Sequence, residues 1–558
     1  MSATLETHEV INQSPAYDGR NLFTTDAALG EAVRREGGGS ETASLISFGR
    51  TTGSRECAAL ARTANECTPR LRTHDGNGNR ADLVEYHPAY HELMRTSAEW
   101  GLHTRVFEGR VDGRAPSAGV NVIRAAGLYM AAQMEAGHCC PLTMTHAAAP
   151  ALLLEPSLAK AWLPLLMQRA YDPAFEPVAA KRAATLGMGM TEKQGGTDVR
   201  ANTTRAEPRG KAGPGQAYLV TGHKWFMSAP MSDAFLVLAQ AKGGLSCLLL
   251  PRFREDGSVN ALRFQRLKDK LGNRSNASSE VEFHNAEAWL IGEEGRGVPS
   301  IIEMVTETRL DCAVSSAGLM RSALARAIHH ARHRSVGQRL LIDHVLMAEV
   351  LADMALDVEA ATALVFRLAR AFDHAADPRA AAWRRLMTPV VKYWVTKLAP
   401  ALVYEAMECL GGNGYVEDDA LARIYREAPV NAIWEGSGNV MALDVLRVLQ
   451  REPDVAAMVI EDLGQSIGED AHLKAGLQRI EMLLHEPRQL DKRARLLVEA
   501  LAVVSAGAIL RAHSPREVAD PFIVTRLSAS PRQSYGQGID WADARAIIDR
   551  AYPPMAQS

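Results

Sequence analysis

The stretch Met190-Thr191-Glu192-Lys193-Gln194-Gly195-Gly196-Thr197-Asp198-Val199 marks the point where the chain changes its period. Before it, from about residue 41, apolar residues recur at three- and four-residue spacing, as in Val122, Ala125, Ala126, Tyr129, Met130 and Met134. Pro141, Pro150 and Pro164 break this run into helical segments. After it come short runs of β type, Tyr218-Leu-Val-Thr, Phe235-Leu-Val-Leu-Ala, Ser246-Cys-Leu-Leu-Leu and Val281-Glu-Phe, with turn signals such as Asp256-Gly257 between them. Beyond Gly297 the helical period returns in segments long enough to cross a bundle, Met304 to His333, Asp343 to Asp373 and Ala380 to Leu410. The reading is a mainly α chain with a central β domain. It has an extended arm over 1–40, an all-helical domain over 41–180, a β domain over 181–290, a helical bundle over 291–450, and a separate C-terminal helical module over 451–558.

The bulk numbers agree. A chain of 558 residues exceeds what one hydrophobic core usually supports, and 47% apolar with 23% charged residues is an ordinary globular balance. The net charge of -3 gives the whole chain no electrostatic reason to seek a polyanion, so any contact with nucleic acid has to be local. The seven cysteines are odd in number and scattered, which argues against a disulfide framework and a zinc site. Residues Met1 to Val10 hold Glu6 and Glu9 and no apolar core of a leader, and no run is read as a membrane span; a cytoplasmic protein is expected.

Local chemistry is carried by a few segments. In Met190 to Val199 the paired glycines allow close backbone approach, and Thr191 and Thr197 supply hydroxyls for a ring carbonyl or a phosphate; an ordinary inter-domain turn has the same composition. Trp225 and Phe226, in Thr221-Gly-His-Lys-Trp-Phe-Met-Ser228, could stack on a flat heterocycle with Ser228 as a polar anchor, or could be sheet core. Glu408-Cys-Leu-Gly-Gly-Asn-Gly-Tyr415 stops a helix in glycines. Asn431-Ala-Ile-Trp-Glu-Gly-Ser-Gly-Asn439 frames a single carboxylate, Glu435, between an aromatic and Gly-Ser-Gly, a setting that suits a base in a close-fitting pocket. No Gly-x-Gly-x-x-Gly stands at a strand-helix junction, so a dinucleotide site of that kind is not expected.

In this order and domain context the segments resemble the acyl-CoA dehydrogenase family over residues 50 to 450, and within it the AidB, or alkylation-response, branch. Met188 to Gly196, Leu267-Lys-Asp-Lys-Leu-Gly-Asn-Arg-Ser-Asn-Ala277 and Ile433 to Asn439 carry the narrower resemblance. It implies a helical domain, a β-barrel and a four-helix bundle, with FAD as cofactor. Met190, Thr191, Thr197, Trp225, Phe226 and Ser228 would then meet the flavin. Trp434, Gly436, Ser437 and Asn439 would line the rest of the dinucleotide, and Gly412, Asn413 and Gly414 would reach the FAD of a neighbouring subunit, in a homo-oligomer expected to be a tetramer. Glu435 would be the base that takes an α-proton from an acyl-CoA, with Arg309 as the family arginine, or else architecture kept without the reaction. Thr308 stands where isovaleryl-type members hold their base, Glu408 where the family has Gln, His333-Arg-Ser-Val-Gly337 where it has Arg-x-x-Phe-Gly, and Trp434 where it has Tyr.

The same resemblance implies a protein that binds double-stranded DNA in the adaptive response to alkylating agents, protecting DNA or inactivating the alkylating agent, with isovaleryl-CoA-like dehydrogenase capacity. An ordinary acyl-CoA dehydrogenase of fatty-acid or branched-chain catabolism is the alternative. Arg447, Lys492, Arg493 and Arg511, with Arg495, Arg516, Arg526 and Arg532, could form a phosphate-binding stripe, although Glu461, Asp462, Glu469 and Asp470 nearly balance them. No metal is expected: Pro88 separates His87 from His91 at a helix start, and His329, His330 and His333 lie among Arg326, Arg332 and Arg334.

Overall fold

A computed structural model describes residues 7–111, 117–485, 489–528, 534–537 and 541–554. The chain forms two compact units, one from Glu56–Asp311, the other from the N-terminal segment up to Arg55 together with the chain from Cys312 onward.

In the first unit, helices Pro88–Trp100, Val120–Met134, Cys139–Leu152 and Pro156–Leu166 precede a seven-stranded sheet. The sheet closes on itself. Ala234–Ala241 pairs with Arg205–Pro208, that strand with Ala217–Ser228, Ala217–Ser228 with Ser278–Ile291, Ser278–Ile291 with Gly244–Pro251, and Gly244–Pro251 returns to Ala234–Ala241. The unbroken apolar runs in Ala234–Ala241 and Gly244–Pro251 follow from this closure. Phe235, Val237, Leu248 and Leu250 fill the barrel, while Leu236, Leu238 and Leu249 pack on the other side with Ala147, Leu152 and Trp162 of the helices. Both faces are covered, so alternation disappears. Each such fully buried side chain contributes roughly 1.5–3 kcal/mol relative to exposure. Residues 41–180 are not all helical: Arg70–His74 and Arg80–Glu85 form an antiparallel hairpin around Asp75, whose carboxylate accepts from the Asn77 and Asn79 amides. The turn chemistry of Asp75-Gly-Asn-Gly-Asn79 outweighs the surrounding helical period.

In the second unit, Val345–Asp373 and Pro378–Cys409 pack on each other, and Gly438–Arg451 and Leu490–His513 pack on Pro378–Cys409. Pro378–Cys409 starts at an Asp377 cap that accepts from the Ala380 amide at 2.8 Å, with Pro378 at the first helical position. Three expectations need correction here. The arm over 1–40 contains the helix Ala27–Arg35, capped by Asp26 and buried through Leu29 and Val33. The region 451–558 is not separate, because Leu490–His513 buries Leu497, Val498, Leu501 and Val504 in the bundle and Trp541–Ala551 lies against Val345–Asp373. Ion pairs seal it: Arg526 with Asp353 and Asp357, and Arg550 with Glu31 and Glu359. Leu490–His513 is also long and apolar enough to cross a membrane, which was not read from the sequence; its apolar side chains are largely spent on bundle contacts.

Candidate active site

The candidate residues fall in both units. In the barrel unit the loop after strand Leu186–Gly189 is organised by Glu192, whose side chain is fully buried. Its carboxylate accepts from Lys224 Nζ at 2.8 Å, the Thr203 amide at 2.7 Å, Thr203 Oγ1 at 3.0 Å, the Thr204 amide at 3.1 Å and Gln194 Nε2 at 2.8 Å. Lys224 Nζ also donates to the Leu238 carbonyl at 2.7 Å. Burial disfavours a charged Glu192, but the Lys224 ammonium and the hydrogen bonds from Lys224, Thr204 and Thr203 outweigh it and hold the carboxyl well below the usual range. The motif glutamate is therefore a knot that fixes the loop.

That knot sets the neighbouring side chains. The Trp225 amide donates to the Thr191 carbonyl at 2.8 Å, which ties the loop to strand Ala217–Ser228. A Cβ on Gly196 would lie 2.3 Å from Thr191 Oγ1, so a larger residue there would displace the Thr191 hydroxyl. Between Lys224 and Met227 the pairing with Ser278–Ile291 shifts register, a bulge that leaves both Trp225 and Phe226 unburied. Phe226 is 48% exposed and meets Trp225 edge-on at 6.5 Å. Lys268 Nζ lies 3.2 Å from the Trp225 ring centre and donates to Glu280 at 2.6 Å. Ser228 Oγ is 2.9 Å from Ser278 Oγ, Met190 packs against the apolar core, and Thr197 is exposed. Arg309 is half-buried on helix Gly297–Ala331, and the neighbouring Thr308 hydroxyl donates back to the Val305 carbonyl at 3.0 Å.

In the helical unit, Glu435 follows a short 3-10 turn, Val430–Ala432, and precedes helix Gly438–Arg451. It has φ +58°, and Gly436 has φ +101°. A non-glycine residue in that region carries roughly 1–3 kcal/mol of strain. The strain is held by Lys392, a buried residue of helix Pro378–Cys409, whose Nζ donates to the carbonyls on either side of Glu435, Trp434 O at 2.9 Å and Gly436 O at 2.7 Å. The Trp434 indole donates to Asn431 Oδ1 at 2.9 Å, and Asn431 Nδ2 to Ser316 Oγ at 3.1 Å. Ser437 and Asn439 are exposed. Gly412 and Asn413 are exposed too, but Gly414 is buried, and a Cβ there would lie 2.3 Å from the Met407 carbonyl. Glu192, Lys224, Lys268, Lys392 and Asn431 were given no role from sequence. The available signal was a lysine inside the apolar run Val390-Val391-Lys392-Tyr393-Trp394-Val395.

The cations proposed for nucleic acid are dispersed. Arg511 pairs with Asp470 and Asp520, Arg447 with Asp444, and Arg526 is buried with its two aspartates. Lys492, Arg493 and Arg495 are exposed at the start of Leu490–His513, while Arg532 lies outside the described residues. His87 caps helix Pro88–Trp100, accepting from the Ala89 amide. His329 Nε2 and the Pro15 carbonyl are 2.8 Å apart, so this histidine is engaged by the N-terminal segment.

Residues 12–173 match the adaptive response protein AidB N-terminal domain, 187–286 the acyl-CoA dehydrogenase middle domain, and 295–450 the acyl-CoA dehydrogenase C-terminal domain. The AidB protein of Escherichia coli (strain K12) is 47% identical over 91% of this chain and 93% of its own. The structure of Caenorhabditis elegans ACDH-11 in complex with C11-CoA superposes with a TM-score of 0.84 at 29% identity, covering 98% of this chain and 97% of that one. A Bacillus anthracis acyl-CoA dehydrogenase complexed with FAD shares the fold, with a TM-score of 0.65 at 16% identity over 83% of this chain and 82% of its own. The chain belongs to the acyl-CoA dehydrogenase family and carries an AidB-type N-terminal domain. Membership supports FAD as its cofactor. The residues fit such a group: the bulge leaves Phe226 exposed beside Trp225, and among the described residues nothing beyond the chain neighbours lies within 4 Å of a Cβ built on Gly195, Gly411 or Gly412.

Proposed function

We propose that this flavoprotein oxidises an acyl-CoA thioester, with Glu435 as the base. The observation that carries the reading is the fixed loop at Glu435, a carboxylate kept in a strained backbone conformation by a buried lysine on both flanking carbonyls. In the reaction, Glu435 removes the α-proton, the β-hydrogen departs as hydride, and the product is the α,β-unsaturated thioester. FAD supplies the hydride acceptor when bound. Met190, Thr191, Thr197, Trp225, Phe226 and Ser228 would hold its ring, and Gly412 to Gly414, Trp434, Gly436, Ser437 and Asn439 its dinucleotide portion. The C11-CoA held by the Caenorhabditis elegans neighbour favours a medium-length acyl chain as substrate. The test is anaerobic titration of the FAD-loaded protein with acyl-CoA thioesters of graded length, following flavin absorbance and product mass. Loss of absorbance with enoyl-CoA formation, abolished in Glu435→Gln, is expected; no reduction by any thioester overturns the reading.

A second activity is favoured by the identity with AidB: binding of duplex DNA in a cytoplasmic response to alkylating agents, protecting DNA or inactivating the agent. Lys492, Arg493 and Arg495 are exposed near the start of Leu490–His513 and within four residues of one another, the arrangement best suited to phosphate contacts. Exposed apolar side chains on the helical unit, Tyr415 at 81% and Ile433 at 67% exposure, offer a second copy surface to cover in a homotetramer. Duplex binding over a salt series tests the DNA reading. Replacing Lys492 and Arg493 by Glu is expected to flatten the log-log salt slope by about 0.9 per lost phosphate contact; a wild-type protein that does not bind at low salt contradicts it.

A further inference from the structure

We infer that Lys392 is a positioning residue for the reaction, setting the direction of the Glu435 carboxylate through the main chain. The inference rests on the reading of Glu435 as the base. Glu435 is one of few non-glycine residues at positive φ among the described residues, and the peptide groups on its two sides decide where its side chain points. The carbonyls of the two neighbouring residues meet the same ammonium, Trp434 O at 2.9 Å in the peptide that enters Glu435 and Gly436 O at 2.7 Å in the peptide one further on. A peptide flip at either position would turn a carbonyl away from a charged donor in a buried place, where an ionic hydrogen bond is strong and its loss is not made up by water.

The lysine is held in turn. Its helix, Pro378–Cys409, buries the flanking Val390, Val391, Tyr393, Trp394 and Val395, so the ammonium cannot follow the loop outward. On the far side of the loop the chain Ser316, Asn431, Trp434 fixes the indole that precedes the base. Lys392 thus acts on the backbone from one side while Asn431 acts on the Trp434 side chain from the other. The residue has no need to touch substrate. A base misplaced by about 1 Å loses on the order of 100-fold in rate, which is the scale of effect a lost clamp should produce.

The test uses the FAD-loaded full chain and a 3-thiaacyl-CoA, which has an α-proton to lose but no β-hydrogen to pass on. Exchange of the α-proton with deuterated solvent is read by mass spectrometry, beside the dissociation constant of the analogue and the KM against kcat split with an acyl-CoA substrate. Glu435→Gln is expected to abolish exchange. Lys392→Met is expected to slow exchange and kcat by about 10- to 100-fold with the dissociation constant and KM little changed, and Lys392→Arg to recover part of the loss. Should Lys392→Met fail to fold, Lys392→Gln, which keeps N–H donors, is read against the same outcomes. Wild-type exchange in a folded Lys392→Met or Lys392→Gln protein overturns the positioning role while leaving Glu435 as base. Wild-type exchange in Glu435→Gln overturns the reading of Glu435 itself.

Discussion

Two loops that carry candidate residues, one in each unit, are each fixed by a buried lysine, but in different ways. In the barrel unit Lys224 is paired with the Glu192 carboxylate, so charge is matched inside the protein and the loop carrying Thr191 is locked by an ionic knot. In the helical unit Lys392 donates to two main-chain carbonyls and so shapes the loop that carries Glu435. The difference separates two uses of an acidic residue in a family motif. Glu192 is held by donors on both carboxylate oxygens, which suits structure; at Glu435 the neighbouring main chain is held, which suits a residue proposed as a base.

The comparison breaks most visibly if one partner of the ionic knot is removed. Lys224→Met should cost about 3–5 kcal/mol of unfolding free energy by denaturant titration, because it strands a buried carboxylate, and adding Glu192→Gln should recover much of the loss. Lys392→Met should cost less, about 1–3 kcal/mol in the same assay, because the two hydrogen bonds it removes end on neutral carbonyls. A larger loss for Lys392 than for Lys224 would reverse the assignment of roles.

Acidity sharpens the contrast further. The folded-state pKa of Glu192 lies below its ordinary value of 4.5, so its contribution to stability is fully present above that pH and is lost as pH falls toward the folded value. A stability profile descending from about pH 4.5 should therefore be steeper in the wild type than in Glu192→Gln. The smallest expected effect belongs to Glu435→Gly, which relieves the positive φ and should raise stability by about 1 kcal/mol while removing the base. An equal or lower stability would mean that the Glu435 side chain itself holds the loop.

Much of this was legible in the sequence because it is local. The change of period at Met190, the closing glycines and the Trp-Glu-Gly-Ser-Gly loop are written in neighbouring residues, and they identified the family and singled out Glu435 as the candidate base. What was not legible depends on partners distant in the chain. Glu192 and Lys224 are 32 residues apart, and Lys392 and Trp434 are 42 apart, so neither pair shows a spacing signal. The tail misled for the same reason: Arg526 looked like a surface cation, but its partners Asp353 and Asp357 lie on a helix far upstream. The hairpin at Arg70–Glu85 was overlooked although Asp75-Gly-Asn-Gly-Asn79 announces a turn, because the helical period on both sides was given more weight.

The central claim is that Glu435 takes the α-proton of an acyl-CoA, and the most direct measurement is single-turnover flavin reduction with a substrate deuterated at the α-carbon. The account predicts that deuterium slows reduction severalfold in the wild type and that Glu435→Gln is not reduced at all. Reduction of Glu435→Gln at the wild-type rate, with no isotope effect in either protein, would contradict it.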